Sequence, residues 1–121
     1  MIENLAPDIF RQRLLMEGFW RIAVDEHAVR RYLLGLAGET GLRSYGEPIV
    51  FSPSAGEGRP ENAGFDAFLP LIDSGIAGYF WTGSRFLSVV LYSCKPFEAK
   101  TAAAYTRRFF DVDGELAQAA F

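Results

Sequence analysis

The stretch FDAFLPLIDSGIAGYFWTGSRFLSVVLYSC (residues 65–94) decides the fold: three apolar runs, Phe65 to Ile72, Ile76 to Trp81 and Phe86 to Ser93, follow one another with only short polar breaks between them. Runs of this length, rich in aromatic and β-branched residues, read as strands. The breaks Asp73-Ser74-Gly75 and Thr82-Gly83-Ser84-Arg85 read as tight turns, with Gly75 able to take a positive φ at no steric cost. The stretch therefore predicts an antiparallel meander.

Upstream, Arg13 to Val24 alternates, with Leu14, Met16, Trp20, Ile22 and Val24 on one side, and predicts a long first strand. Asp25 is a helix N-cap residue, Glu26 suits the positive helix end, and Val29, Leu33 and Leu36 recur at helical spacing beside Tyr32. A helix from Glu26 to Ala37 follows, ended by Gly38 or Gly41. Glu47 to Phe51 reads as a second strand and Ser52 to Asn62 as a loop, whose Gly56-Glu57-Gly58-Arg59 lacks the Gly-Lys-Ser/Thr ending of a phosphate loop. Downstream, Pro96 precedes a second helix from Phe97 to Phe110, and the tail Asp111 to Phe121 has room for a short edge strand. Grouped strands with separate helices predict an α+β two-layer sandwich, a mainly antiparallel sheet with two helices on one face. The other face stays apolar at many positions, which points to a homodimer.

The 121 residues suit one domain, 1–121, burying about two thirds of the unfolded chain's surface. Half are hydrophobic and 15% aromatic, eleven of them Phe, so a core of real size is available. A net charge of -3 with interspersed signs leaves no footprint for nucleic acid or an anionic membrane surface. No run approaches the roughly 20 apolar residues of a membrane span. The N-terminus lacks a basic then apolar leader, and a single cysteine makes no internal disulfide, so a cytoplasmic, reducing location is expected. His27 is the only histidine, which removes histidine-cluster metal sites, and its simplest reading is a solvated helix residue; no metal is expected. Arg107-Arg108 reads as helix-end charge. Phe65, Phe68, Tyr79, Phe80 and Trp81 read as core first and as a purine-flanking group second.

One constellation carries chemistry. Asp73-Ser74-x-Ile76 is followed by Trp81, seven positions after the serine, and Cys94, thirteen after the tryptophan. This spacing resembles the bacterial S-adenosylmethionine decarboxylase family, the small pyruvoyl enzymes of polyamine synthesis. There an acid-Ser-His-Ile-x-x-His-Thr-Trp-Pro-Glu segment precedes a strand ending in Thr-Cys-Gly; here the residues are Asp73-Ser74-Gly75-Ile76-Ala77-Gly78-Tyr79-Phe80-Trp81-Thr82-Gly83 and Tyr92-Ser93-Cys94.

The resemblance implies that Ser74 is the precursor of a pyruvoyl group, Asp73 the residue before the cut and Cys94 the acid that returns a proton after decarboxylation. The small-molecule substrate is then S-adenosylmethionine or a related amino acid, with Trp81 at the substrate. Tyr79 stands where the family has a processing histidine, Asp66 where it has a serine that holds the processing intermediate, and Thr82-Gly83 where it has the Pro-Glu that grips the substrate ribose. Tyrosine, with a reference pKa near 10, is a poor base at neutral pH, whereas Asp66, buried near Asp73, would have its carboxyl raised toward neutrality. The alternatives are an uncleaved homologue that binds S-adenosylmethionine or a metabolite and breaks a different bond, and a non-catalytic regulatory dimer.

Overall fold

The computed structural model describes residues 2–52 and 58–121. Six strands form one sheet: β1 (Gln12–Phe19), β2 (Ile49–Phe51), β3 (Gly64–Leu71), β4 (Ser74–Trp81), β5 (Phe86–Ser93) and β6 (Asp113–Ala120). Their order across the sheet is β2-β3-β4-β5-β1-β6, and every neighbouring pair is antiparallel. The helices α1 (Glu26–Thr40) and α2 (Ala99–Phe110) share one core with the sheet, completing the two-layer α+β sandwich. No helix is long and apolar enough to cross a membrane.

The meander forms as read, but its first turn sits elsewhere. Leu71 pairs with Ser74, so the connection is the two-residue turn Ile72-Asp73, and it is Asp73 that takes the left-handed conformation, at φ 58°. Aspartate is among the few non-glycine residues that tolerate this region. Gly75 lies inside β4 opposite Pro70, where a Cβ would meet the Phe68 ring at 3.1 Å. Its role is space for an aromatic ring.

Other boundaries move for identifiable reasons. β1 stops at Phe19 instead of running to Val24, because Trp20 N-H donates to Arg85 O and Arg21 N-H to Phe110 O, turning the chain out of the ladder. Asp25 caps α1 as expected, accepting from Ala28 N at 2.8 Å, but the helix passes the exposed Gly38 and ends at Gly41, at φ 74°. β2 is shorter than Glu47 to Phe51. In the loop, Pro60–Asn62 forms a 3-10 turn, and Gly56 and Glu57 lie outside the described residues. Phe97 precedes α2, which is capped by Glu98; its backbone is held from β1 by the Gln12 amide, which donates to Phe97 O and accepts from Phe97 N. The tail makes a full eight-residue edge strand.

Alternation sorts the strands into two faces. The helix face carries Leu14, Met16, Leu69, Ile76, Phe80, Leu87, Val89 and Leu91, all buried. Against it pack Tyr32, 4.6 Å from the Phe110 ring, and Trp20, 6.1 Å from the same ring. The Tyr32 hydroxyl reaches Thr106 Oγ1 at 2.8 Å, while Thr106 donates to Ala102 O. Burial first of all pushes the Tyr32 phenol above its ordinary range, consistent with a permanent donor.

Gly64 begins β3 at φ 156°, and a Cβ built there would lie 1.8 Å from the Phe80 carbonyl oxygen. Backbone cannot yield as a flexible side chain does. Gly64→Ala is therefore expected to lose about 2 kcal/mol or more in urea unfolding, with Gly46→Ala, which meets nothing, within about 0.5 kcal/mol of the parent.

Candidate functional site

The open face is organised in rows that follow from the strand registers. Trp81, Phe86 and Phe19 form one aromatic row; Asp66, Tyr79, Ser88 and Glu17 a polar one; Phe68, Ala77, Val90 and Leu15 an apolar one; Gly75, Tyr92 and Arg13 the last. Below the last row lie the turn Ile72-Asp73 and the residues after β5.

Asp73, Ser74 and Cys94 meet at this end. Cys94 N-H donates to the Asp73 carbonyl at 2.8 Å, on the atom that a Ser74 attack would convert to an oxyanion. The Ser74 hydroxyl lies 2.7 Å from the Ser93 hydroxyl, its cross-strand partner, and Ser93 Oγ also accepts from Lys95 N at 2.8 Å. Lys95 Nζ stands 3.9 Å from the Asp73 carboxylate, both well exposed, a contact of little energetic weight. Cys94 is exposed and free. Beside these groups the open face dips into a depression of ≈ 340 Å³, lined by Phe68, Ala77, Val90 and Tyr92 as well as Asp73, Ser74, Gly75 and Cys94.

The remaining candidates form a second group. Asp66 and Tyr79 face each other across β3 and β4, both exposed, and Tyr79 next faces Ser88, whose hydroxyl donates to Glu17 Oε2 at 2.7 Å. Tyr79 is five residues along β4 from Ser74, roughly 17 Å at strand rise. Asp66 is thus neither buried nor beside Asp73, and the expectation of a carboxyl raised by that neighbour fails within one chain. Trp81 lies at the far end of β4, its indole N-H bonded to Asn62 Oδ1 at 3.0 Å. The aromatic group divides likewise: Phe80 is core, Phe68 and Tyr79 are exposed. His27 is exposed in the first turn of α1, Arg107 holds Gly114 O, and Arg108 pairs with Glu39. Among the described residues no three His, Cys, Asp or Glu side chains converge as a metal site would need.

Ser93 and Lys95 escape a reading of the chain alone. Ser93 looks like the last residue of an apolar strand until the register places it opposite Ser74. Lys95 looks like a solvated charge until the turn brings Asp73 to it.

This arrangement of a six-stranded antiparallel sheet and two helices is the adenosylmethionine decarboxylase fold. Among solved structures, the adenosylmethionine decarboxylase from Aquifex aeolicus VF5 superposes with a TM-score of 0.69 at 15% identity, over 93% of this chain and 89% of that one. No family model matches the sequence, and no curated protein matches it. At that identity the likeness establishes the fold.

The buried Ser93 hydroxyl satisfies two neighbours, while Tyr79 is largely solvated. Ser93→Ala is expected to cost about 1 kcal/mol in urea unfolding, and Tyr79→Phe less than about 0.5 kcal/mol.

Proposed function

We propose that this chain is an S-adenosylmethionine decarboxylase-like protein, a lyase of the cytoplasm acting on S-adenosylmethionine or a related amino acid through a pyruvoyl group formed at the Asp73-Ser74 bond. The observation that carries the reading is the Cys94 N-H aimed at the Asp73 carbonyl, with the Ser74 hydroxyl on the adjoining residue. A donor on that oxygen stabilises the charge that develops when the hydroxyl adds to the carbonyl carbon. The amide C-N bond breaks as the ester C-O bond forms; removal of the Ser74 Cα proton then expels the Asp73 carboxylate, and water turns the resulting dehydroalanine into a terminal pyruvoyl with loss of ammonia. The pyruvoyl ketone supplies the electron sink for a departing carboxylate. Cys94, at the rim of the depression, is the proton donor to the product.

One part is missing from that cluster: a group to receive the serine proton. Asp66 and Tyr79 are the candidates the family spacing offers, and they lie too far along the same strands. A homodimer resolves the distance. The open face exposes Phe19, Phe51, Phe68, Tyr79 and Tyr92, a surface that burial against a second copy would stabilise. A two-fold axis lying between two such faces and across the strands lays one copy's Asp66 and Tyr79 over the other copy's Asp73 and Cys94, because each pair occupies an opposite end of the same face.

A second reading rests on the hydrogen bonds themselves. Ser74 with Ser93, and Cys94 N-H with Asp73 O, are also what a stable strand end requires, so an uncleaved homologue would use the depression to bind S-adenosylmethionine or a metabolite, breaking a different bond or none. Intact mass separates the two. The expected result is two fragments meeting at Asp73-Ser74, with Ser74→Ala a single full-length species. A wild type that stays full length, with no carbonyl captured by an amine and cyanoborohydride, overturns the pyruvoyl reading and leaves the second. The dimer is read independently by sedimentation: Phe68→Lys is expected to shift the wild-type dimer to monomer without unfolding it.

A further inference from the structure

We infer that Arg13 is a specificity residue that holds an oxyanion of the ligand, so that the natural ligand is an anionic small molecule. The inference takes the depression at Asp73 and Cys94 as the binding site and adds the charge its ligand carries.

Arg13 lies on the open face directly opposite Tyr92, which lines that depression. Val90 and Cys94, two positions to either side of Tyr92, are the diagonal neighbours of Arg13, roughly 7–8 Å away in an antiparallel pair and within reach of a long side chain. Its guanidinium is only partly exposed, and Nε is shielded from solvent without any acceptor. No carboxylate pairs with it among the described residues. Its flat face rests on the Phe121 ring, 5.5 Å from the centroid. That contact occupies the face of the guanidinium and leaves its edge, where the N-H donors point, unused. A shielded donor without a partner costs stability unless something outside the chain supplies the acceptor.

The space for that acceptor is present. Arg13 and Arg11 line a hollow of ≈ 280 Å³ between β1 and the N-terminal segment, on the far side of Tyr92 from the depression. Arg11 is occupied there, donating to Ala6 O, Ile9 O and Asn4 Oδ1, which leaves Arg13 as the open guanidinium. Glu3 and Asp8 also line the hollow, but both residues are exposed and screened by water. A ligand with its reacting end at Asp73 and Cys94 and an oxyanion about one strand spacing away meets both.

The guanidinium also limits which group this is. An arginine on a departing carboxylate stabilises the ground state that must lose carbon dioxide, and so opposes the reaction. The oxyanion at Arg13 is one that stays on the ligand, such as a second carboxylate or a phosphate. S-adenosylmethionine, a sulfonium cation with one carboxylate, has no such group.

Thermal-shift titrations of the full chain with L-glutamate, L-glutamine, inorganic phosphate and S-adenosylmethionine test this. Stabilisation by glutamate or by phosphate is expected, about 5 °C in Tm at ten times Kd; the glutamate arm against the phosphate arm tells which oxyanion is held. Arg13→Gln is expected to abolish that shift and the preference of glutamate over glutamine, and Arg13→Lys to restore part of it. The inference is overturned if Arg13→Gln retains the anion response, or if S-adenosylmethionine stabilises the protein while neither glutamate nor phosphate does. Intact mass reports on the pyruvoyl reading separately, so either idea can fail while the other stands.

Discussion

Everything at the candidate site depends on a two-residue turn. Ile72-Asp73 closes the hairpin with Asp73 left-handed, and this pins Ser74 opposite Leu71 on one side and opposite Ser93 on the other. Strand registers are indivisible: a slip of one residue would move every side chain of β4 to the other face. With the turn in place, Phe80 goes to the core, Tyr79 to the open face opposite Asp66, and the Asp73 carbonyl to the Cys94 N-H. A register that serves packing and a register that arms the Asp73-Ser74 bond are the same register.

The two faces divide the work unequally. On the helix face, Tyr32, Trp20, Phe80 and Phe110 interlock at centroid distances of 4.6–6.3 Å, and the one buried phenol is satisfied by Thr106. That side is sufficient to hold the sheet flat against α1 and α2. The open face can then carry features that a core would reject: an exposed polar row with two carboxylates, aromatic rings in water, an unpaired guanidinium. Polar groups of this kind on a largely apolar face are expensive to bury without partners, so they constrain what can cover the face more tightly than its area does.

Much of this was legible in the chain because it is local. Alternation in β3 to β5, the Asp25 cap and the periodicity of Val29, Leu33 and Leu36 each depend on residues a few positions apart. The misplaced boundaries depend on distant atoms. Nothing near Trp20 signals that Arg85 O will take its N-H, nothing near Phe97 signals the Gln12 amide, and Gly38 is indifferent to the helix because nothing lies within 4 Å of it. The turn was misread for a subtler reason. Gly75 has the freedom for positive φ, but Phe68 already claims the space above it, and an aspartate next to it tolerates the left-handed region. The site was legible as a set of residue types and opaque as a geometry, since Ser93 and Arg13 acquire meaning only through cross-strand partners.

Strand geometry also limits how the candidate residues can act together. Residues five apart on a strand stay about 17 Å apart and point to opposite faces, whatever the side chains do. Asp66 and Tyr79 therefore cannot serve Ser74 of their own chain. The two groups belong either to one reaction shared between copies or to unrelated surfaces, and the charge layout bears on which. The Asp73 end carries Arg13 and Lys95 against a single carboxylate, whereas the other end carries Asp66 and Glu17 with no cation in their row. Opposed ends of opposite sign on one apolar face attract their counterparts on a second copy laid across it, and repel them in the parallel arrangement. The arrangement that relieves the electrostatics is thus the one that brings the Asp66 and Tyr79 pair over the Asp73-Ser74 bond.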